Sequence, residues 1–313
     1  MIWPFKRRSC STIPQLLEVD AASIVRRARR MRFRVKTRAL SALSGAYHGA
    51  RPGVGLTFAE LRAYEPGDDV RHLDWNVTAR QGRPYVRRFV EERSLIVWLI
   101  VDVSASLRFG PAGGSKADRV AQAAALLATA AVQNSDRVGL ALVSDHVEAE
   151  VVPASGDRHL ARLIRVLVST PTSSRKSDVT TGLVRLKRSA RRALVIVLSD
   201  FLTAEPLPSG VWRRAARRHE GIALRAIDSR EEALPDVGLI AVEDSESGFS
   251  QLVNTSSTKV RAHYAREAEN RRRTFRQWCS ATGVAGYDLP TEIDPIGPLT
   301  RIFNDRAARR GPS

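Results

Sequence analysis

Seven consecutive apolar residues, Leu95 to Val101, run directly into Asp102. The run is far too short to span a bilayer, and it has no alternation that would leave one face wet. It therefore reads as a strand buried on both sides, the kind a parallel sheet places at its centre. Leu194 to Leu198 repeats the pattern and runs into Ser199-Asp200. Between and after these runs the spacing alternates. An Ala-rich helix is predicted over about 116–133, a strand over 138–144 paired with a second at 147–152, and helical spacing at Leu160, Leu163, Ile164 and Leu167. A helix opening at 176–181 and ending near 190, a basic helix at 211–220, and strands at 222–228 and 237–243 follow. Strands alternating with helices predict an α/β fold with a doubly wound, mostly parallel sheet.

Around that core the pattern divides the chain. Residues 1–45 read as a basic helical segment, 46–93 as a small β-rich module, 94–245 as the α/β domain, and 246–313 as a C-terminal helix (about 258–281) with an irregular, partly mobile tail. Val260, Tyr264, Phe275 and Trp278 are the helix's docking residues, and Pro290, Pro295, Pro298 and Pro312 mark the tail.

Both buried strands end in a carboxylate, which places Asp102 and Asp200 at one edge of the sheet. Ligand sites of open α/β sheets form just beyond that edge. Ser104 and Ser106 follow Asp102 at every second position, and the polar loop 176–182 supplies Ser177, Thr180 and Thr181. Clustered carboxylate and hydroxyl oxygens suit a small hard cation such as Mg2+ or Mn2+. The bland alternative is a capping serine and a turn aspartate. This arrangement resembles the metal-ion-dependent adhesion site of von Willebrand factor A domains. The resemblance implies that Asp102, Ser104, Ser106 and Asp200 hold the ion, partly through water, and that an acidic residue of a partner completes its coordination. The second-loop ligand falls on Ser177, with Thr180 and Thr181 as alternatives.

Upstream, Gly53-Val54-Gly55-Leu56-Thr57-Phe58-Ala59-Glu60-Leu61-Arg62-Ala63-Tyr64-Glu65-Pro66-Gly67-Asp68-Asp69-Val70-Arg71-His72-Leu73-Asp74-Trp75, with Ala79-Arg80, Val86-Arg87 and Glu91-Glu92 after it, resembles the signature of the bacterial domain of unknown function 58 family. The likeness covers about residues 45–245. It implies a MoxR-type AAA+ ATPase as partner and an unknown client protein. Many relatives carry two membrane helices before the signature, so this chain reads as a short, soluble form. Independently of the family, Asp68, Asp69, Arg71 and Asp74 crowd four charges into seven residues beside the Pro66-Gly67 turn. An ion-pair network pinning the loop is the plain reading, and a partner-binding loop the sharper one. Trp75 is expected to pack as an anchor, whereas an exposed Trp there would suggest an interface.

Composition changes the picture in one place. The net charge of +17 is concentrated at the start: residues 1–50 hold eleven Lys/Arg against two acids, and eight of the basic residues lie within 26–38. That block leaves weak contact with nucleic acid or an anionic membrane surface open as an alternative function. Only Phe33 is available there for base stacking, so no specific nucleic acid is expected. A metal-dependent hydrolase is the other alternative, but no general base beyond the ligands stands out, and the chain is read as no enzyme. Two cysteines, six scattered histidines and no apolar leader point to a cytoplasmic protein without zinc or disulfides. Gly110 to Lys116 lacks the Gly-Lys-Ser/Thr ending of a phosphate loop and reads as a flexible lip. Ser173-Ser174-Arg175-Lys176 lacks the companions of a serine–lysine acyltransferase.

Overall fold

The computed structural model describes residues 56–91, 94–111, 114–170, 177–186, 192–202, 207–243 and 250–310. The basic segment 1–45, with its block at 26–38, lies outside the described residues. Described residues up to Ser94 form one compact unit and those from Leu95 onward another.

In the first unit, β1 (Leu56–Ala63) pairs antiparallel with β2 (Tyr85–Glu91). A short 3-10 turn (Val70–His72) and helix α1 (Trp75–Gln81) lie between them, so the expected β-rich module is half helical by element. Cap chemistry is the reason. The Asp74 carboxylate accepts from the Asn76 and Val77 amides, and Gly82, at φ 66°, closes the helix in the left-handed region. Asp69 likewise accepts from the Arg71 amide. Part of the expected ion-pair network is present at Arg62, which meets Asp68 at 2.6 Å and Glu65 at 3.2 Å. Arg71 is exposed, and Trp75 is 70% exposed rather than packed as an anchor.

The second unit is built on a six-stranded sheet. Its strands are β3 (Ile96–Asp102), β4 (Arg137–Val143), β5 (Val147–Ala154), β6 (Ala193–Ser199), β7 (Glu220–Ile227) and β10 (Ala285–Pro290), in the order β10-β7-β6-β3-β4-β5. All neighbours are parallel except β4 and β5. The fold is thus α/β with a mostly parallel sheet. β3 and β6 are buried along nearly their whole length, as uniformly apolar runs require. One face, with Trp98, Ile100, Val195 and Val197, packs against α4 (Leu183–Leu186), α5 (Ser209–Arg218) and α7 (Thr258–Thr282) through Leu183, Trp212, Phe275 and Trp278. The opposite face takes α2 (Lys116–Gln133), which touches β3, β4 and β7 and carries α3 (Asp157–Ser169) and α8 (Ile296–Arg310) beside it. A capping box between Ser115 and Asp118 starts α2, which is buried almost all round.

Two expectations fail here. The irregular tail is instead β10, which extends the sheet outside β7, followed by α8. Pro290 ends the strand and Pro298 sits in the first turn of α8, positions where a missing amide costs little. The predicted strand at 237–243 does not join the sheet either. As β8 (Leu239–Glu243) it forms a separate antiparallel ribbon with β9 (Ser250–Asn254). Among the described residues, no helix is long and apolar enough to cross a membrane.

Candidate functional site

From β3 the chain crosses to β4 on one side, while β6 leads on to β7 on the other. The crevice beyond the carboxyl ends of β3 and β6 is therefore the topological switch point where such sheets bind ligands. Asp102 ends β3, and Ser199-Asp200 ends β6. Asp102, Ser104, Ser106 and Asp200 are all buried, and Ser177 is half-buried.

Asp102 is the hub. Its Oδ1 accepts from the Ser104 amide at 2.8 Å, and its Oδ2 accepts from the Ser177 and Ser199 hydroxyls, each at 2.6 Å. The Ser104 and Ser106 hydroxyls lie 3.1 Å apart. Burial pushes the Asp102 carboxyl up to about 6, helped by the negative charge of Asp200 and opposed by its three donors. The first loop turns as a 3-10 helix, Ala105–Arg108, which brings Ser106 back toward Ser104.

The second loop is fixed by backbone contacts. The Asp178 amide donates to the Ser144 carbonyl at 2.7 Å, and Gly182 lies so close to β3 that a Cβ would stand 2.6 Å from Ile100 Cγ2. Only a glycine lets the loop settle there and carry Ser177 to Asp102. Of the alternatives, the Thr181 hydroxyl donates to the Asp178 carbonyl and Thr180 Oγ1 accepts from the Trp212 indole. Ser177 is thus the hydroxyl that reaches the hub.

Asp200 has a different environment from Asp102. Its Oδ1 accepts from the Leu202 amide, and its Oδ2 accepts from the Lys116 ammonium at 2.7 Å. Lys116 also donates to Glu231 at 2.8 Å and is fully buried. Burial works against its charge, but Asp200 and Glu231 outweigh that effect and hold Lys116 above the usual lysine range. The supposed lip at 110–116 therefore ends in a buried ion pair. Sequence reading missed Lys116, Glu231 and Ser199. A single Lys at the mouth of an Ala-rich, buried helix was the available signal for the first, and the Ser-Asp strand ending for the last.

Beyond β7, Asp228 accepts from both Nε and Nη2 of Arg230 and from the Thr291 hydroxyl. It also caps the short helix α6 (Ser229–Glu232), which supplies Glu231.

Among the described residues no group of three or more His, Cys, Asp or Glu converges. A cation at this edge would thus depend on hydroxyl donors. The set fits a hard one: a buried carboxylate under-compensated for its charge, two adjacent serine hydroxyls, and Ser177, whose oxygen keeps lone pairs while its proton serves Asp102.

Residues 60–274 match the family described as Protein of unknown function DUF58. The chain belongs to that family. DUF58 members with similar sequences are the uncharacterized protein Rv1480 of Mycobacterium tuberculosis (strain ATCC 25618 / H37Rv), 33% identical over 94% of this chain and 92% of the relative, and the uncharacterized protein YeaD of Bacillus subtilis (strain 168), 27% identical over 48% of this chain and 35% of the relative. Among solved structures, a conserved hypothetical protein BatB from Bacteroides thetaiotaomicron is 11% identical, covering 69% of this chain and 98% of that one, with a TM-score of 0.42. The pilus adhesin SpaC from Lactobacillus rhamnosus GG is 12% identical, covering 69% of this chain and 30% of that one, also at 0.42. Likeness at that level carries no function across.

Proposed function

We propose that this DUF58 protein is a non-enzymatic, metal-dependent protein–protein interaction adaptor. In this reading the second unit is a von Willebrand factor A-like domain that works in the cytoplasm with a MoxR-type AAA+ ATPase on a client protein. The observation that carries the reading is the convergence of three hydroxyl-bearing segments on the buried Asp102 carboxylate at the switch point of the sheet.

Asp102, Ser104, Ser106 and Ser177 would hold Mg2+ or Mn2+, with Asp200 beside them. A divalent cation bound there supplies a Lewis-acidic centre with positions left open for a carboxylate from another protein. The chain's own residues prepare that encounter. Ser177 and Ser199 orient the Asp102 carboxylate, Gly182 seats the second loop, and burial keeps bulk water from screening the charge. Neutral hydroxyl donors leave such a centre with surplus positive charge, which favours an acidic partner group over a neutral one.

Calorimetric titration with the MoxR-type ATPase tests the reading. Binding is expected in Mg2+ and lost both in EDTA and in Asp102→Ala, with the Asp102→Ala protein still folded. Equal affinity in Mg2+, in EDTA and in Asp102→Ala would exclude the metal edge as the interface.

A further inference from the structure

The geometry points to Lys116 as a tethered cation that masks Asp200 and so fixes how much negative charge the proposed metal edge offers. This rests on the metal-binding reading above and assigns a role to a residue outside the ligand set.

Three observations carry it. Lys116 is completely buried, and its Nζ reaches Asp200 at 2.7 Å and Glu231 at 2.8 Å. Asp200 has its other oxygen on the Leu202 amide, so both of its oxygens are already engaged. The groups also form a chain. Asp200 follows Ser199, whose hydroxyl donates to Asp102 at 2.6 Å, and it is also the nearer counter-charge of Lys116 at 2.7 Å. Asp200 therefore stands between the hub and the ammonium, linked to both.

One ammonium shared by Asp200 and Glu231 offsets part of their two negative charges, and so masks Asp200 in part. It cannot leave, because α2 carries it and the capping box of Ser115 and Asp118 fixes the first turn of that helix. Asp102, by contrast, is met by neutral donors, the Ser104 amide and the Ser177 and Ser199 hydroxyls. A cation held by a single carboxylate and neutral hydroxyls binds more weakly than one held by two carboxylates, and it retains more positive charge toward an outside ligand. Lys116 is thus a positioning residue that trades metal affinity for attraction to an acidic partner group.

The test is Mn2+ titration of the full chain, followed by the electron paramagnetic resonance signal of free Mn2+. Lys116→Met unmasks Asp200 and is expected to tighten Mn2+ binding about tenfold or more. The double variant Lys116→Met/Asp200→Asn removes the masked carboxylate together with its cation and leaves Glu231, whose side chain is 20% exposed; its Mn2+ affinity is expected within about threefold of wild type. Because a buried pair replaced as a unit is tolerated far better than a broken one, the double variant decides the matter if Lys116→Met does not fold. Unchanged or weaker Mn2+ binding in folded Lys116→Met overturns the inference. So does a fall of more than about tenfold in the double variant, which would make Asp200 a working ligand in the wild type. Asp102→Ala reports separately on the underlying reading. If it binds Mn2+ as well as wild type, the metal lies elsewhere, whatever Lys116 does.

Discussion

The Ser199 hydroxyl donates a 2.6 Å hydrogen bond to Asp102, tying the carboxyl end of β6 to that of β3. Ser199 is fully buried, and its oxygen also accepts from the Phe201 amide at 2.9 Å. Phe201 has a φ of 54°, a left-handed conformation rare for a bulky residue, which turns the chain back so that this amide faces Ser199. Its ring lies against Phe275 and Trp278, with centroids 4.8 and 5.6 Å away. Aromatic packing thus compensates a strained turn whose product is an oriented carboxylate.

Ser199→Ala should therefore destabilise the metal-free protein. A hydrogen bond to a charged carboxylate is worth about 1.5–3 kcal/mol, and one to its neutral form about 1. Asp102 ionises near 6, so the loss should be larger at pH 8 than at pH 5. Urea melts in EDTA at the two pH values measure the difference; an equal loss at both would separate Ser199 from the charge on Asp102.

Gly182→Ala should cost about 1–3 kcal/mol by overpacking, since its Cβ would press on Ile100. Lifting the loop also draws Ser177 from Asp102, so the rise in melting temperature produced by Mn2+ should shrink with it. Thermal melts with and without Mn2+ read both effects.

Asp228 gives the acid limb of stability. Arg230 and Thr291 hold its carboxyl down at about 2, against burial. A depressed carboxyl stabilises the fold above its unfolded value near 4, and that contribution fades as pH falls from about 4 toward 2. Asp228→Asn should lower stability by about 2 kcal/mol at pH 7 and by little at pH 2. Denaturant melts from pH 2 to 7 follow it; parallel curves for the two proteins would contradict the assignment.

Asp136 works in the opposite sense. Burial pushes its carboxyl up to about 7, only partly offset by the Leu95 amide, which donates to Oδ1 at 2.8 Å. A raised carboxyl binds its proton more tightly in the folded state, so stability declines as pH rises from about 4 through 7. Asp136→Asn keeps the acceptor for Leu95 and removes the buried charge. It should raise stability at pH 8 by about 2–3 kcal/mol and change little at pH 4. A melt at pH 8 no higher than wild type would count against it.

The sheet's centre was legible because strands covered on both faces must be apolar at every position, as β3 and β6 are. Their carboxylate endings made Asp102 and Asp200 candidates without any knowledge of contacts. β10 was not legible. Ala-Gly-Tyr-Asp-Leu-Pro carries one fully buried residue, Leu289, and owes its strand form to pairing with β7. Lys116 escaped for a related reason: its partners lie 84 and 115 residues downstream, and no local pattern announces an ion pair of that reach. In the smaller unit, the acids of the signature looked like a charge network because sequence shows charge readily and caps poorly. The Asp74 carboxylate also caps a helix by accepting from two backbone amides.

The strand order has a consequence for synthesis. A nascent chain leaving the ribosome completes β3, β4 and β5 early, but β6 begins only at Ala193 and β10 only at Ala285. Until β6 emerges, one flank of the apolar strand β3 has bare amides and carbonyls on offer to any passing edge. Translation of nearly a hundred residues separates the two halves of the Asp102–Ser199 contact, so the crevice at the sheet's edge takes shape only once β6 has emerged.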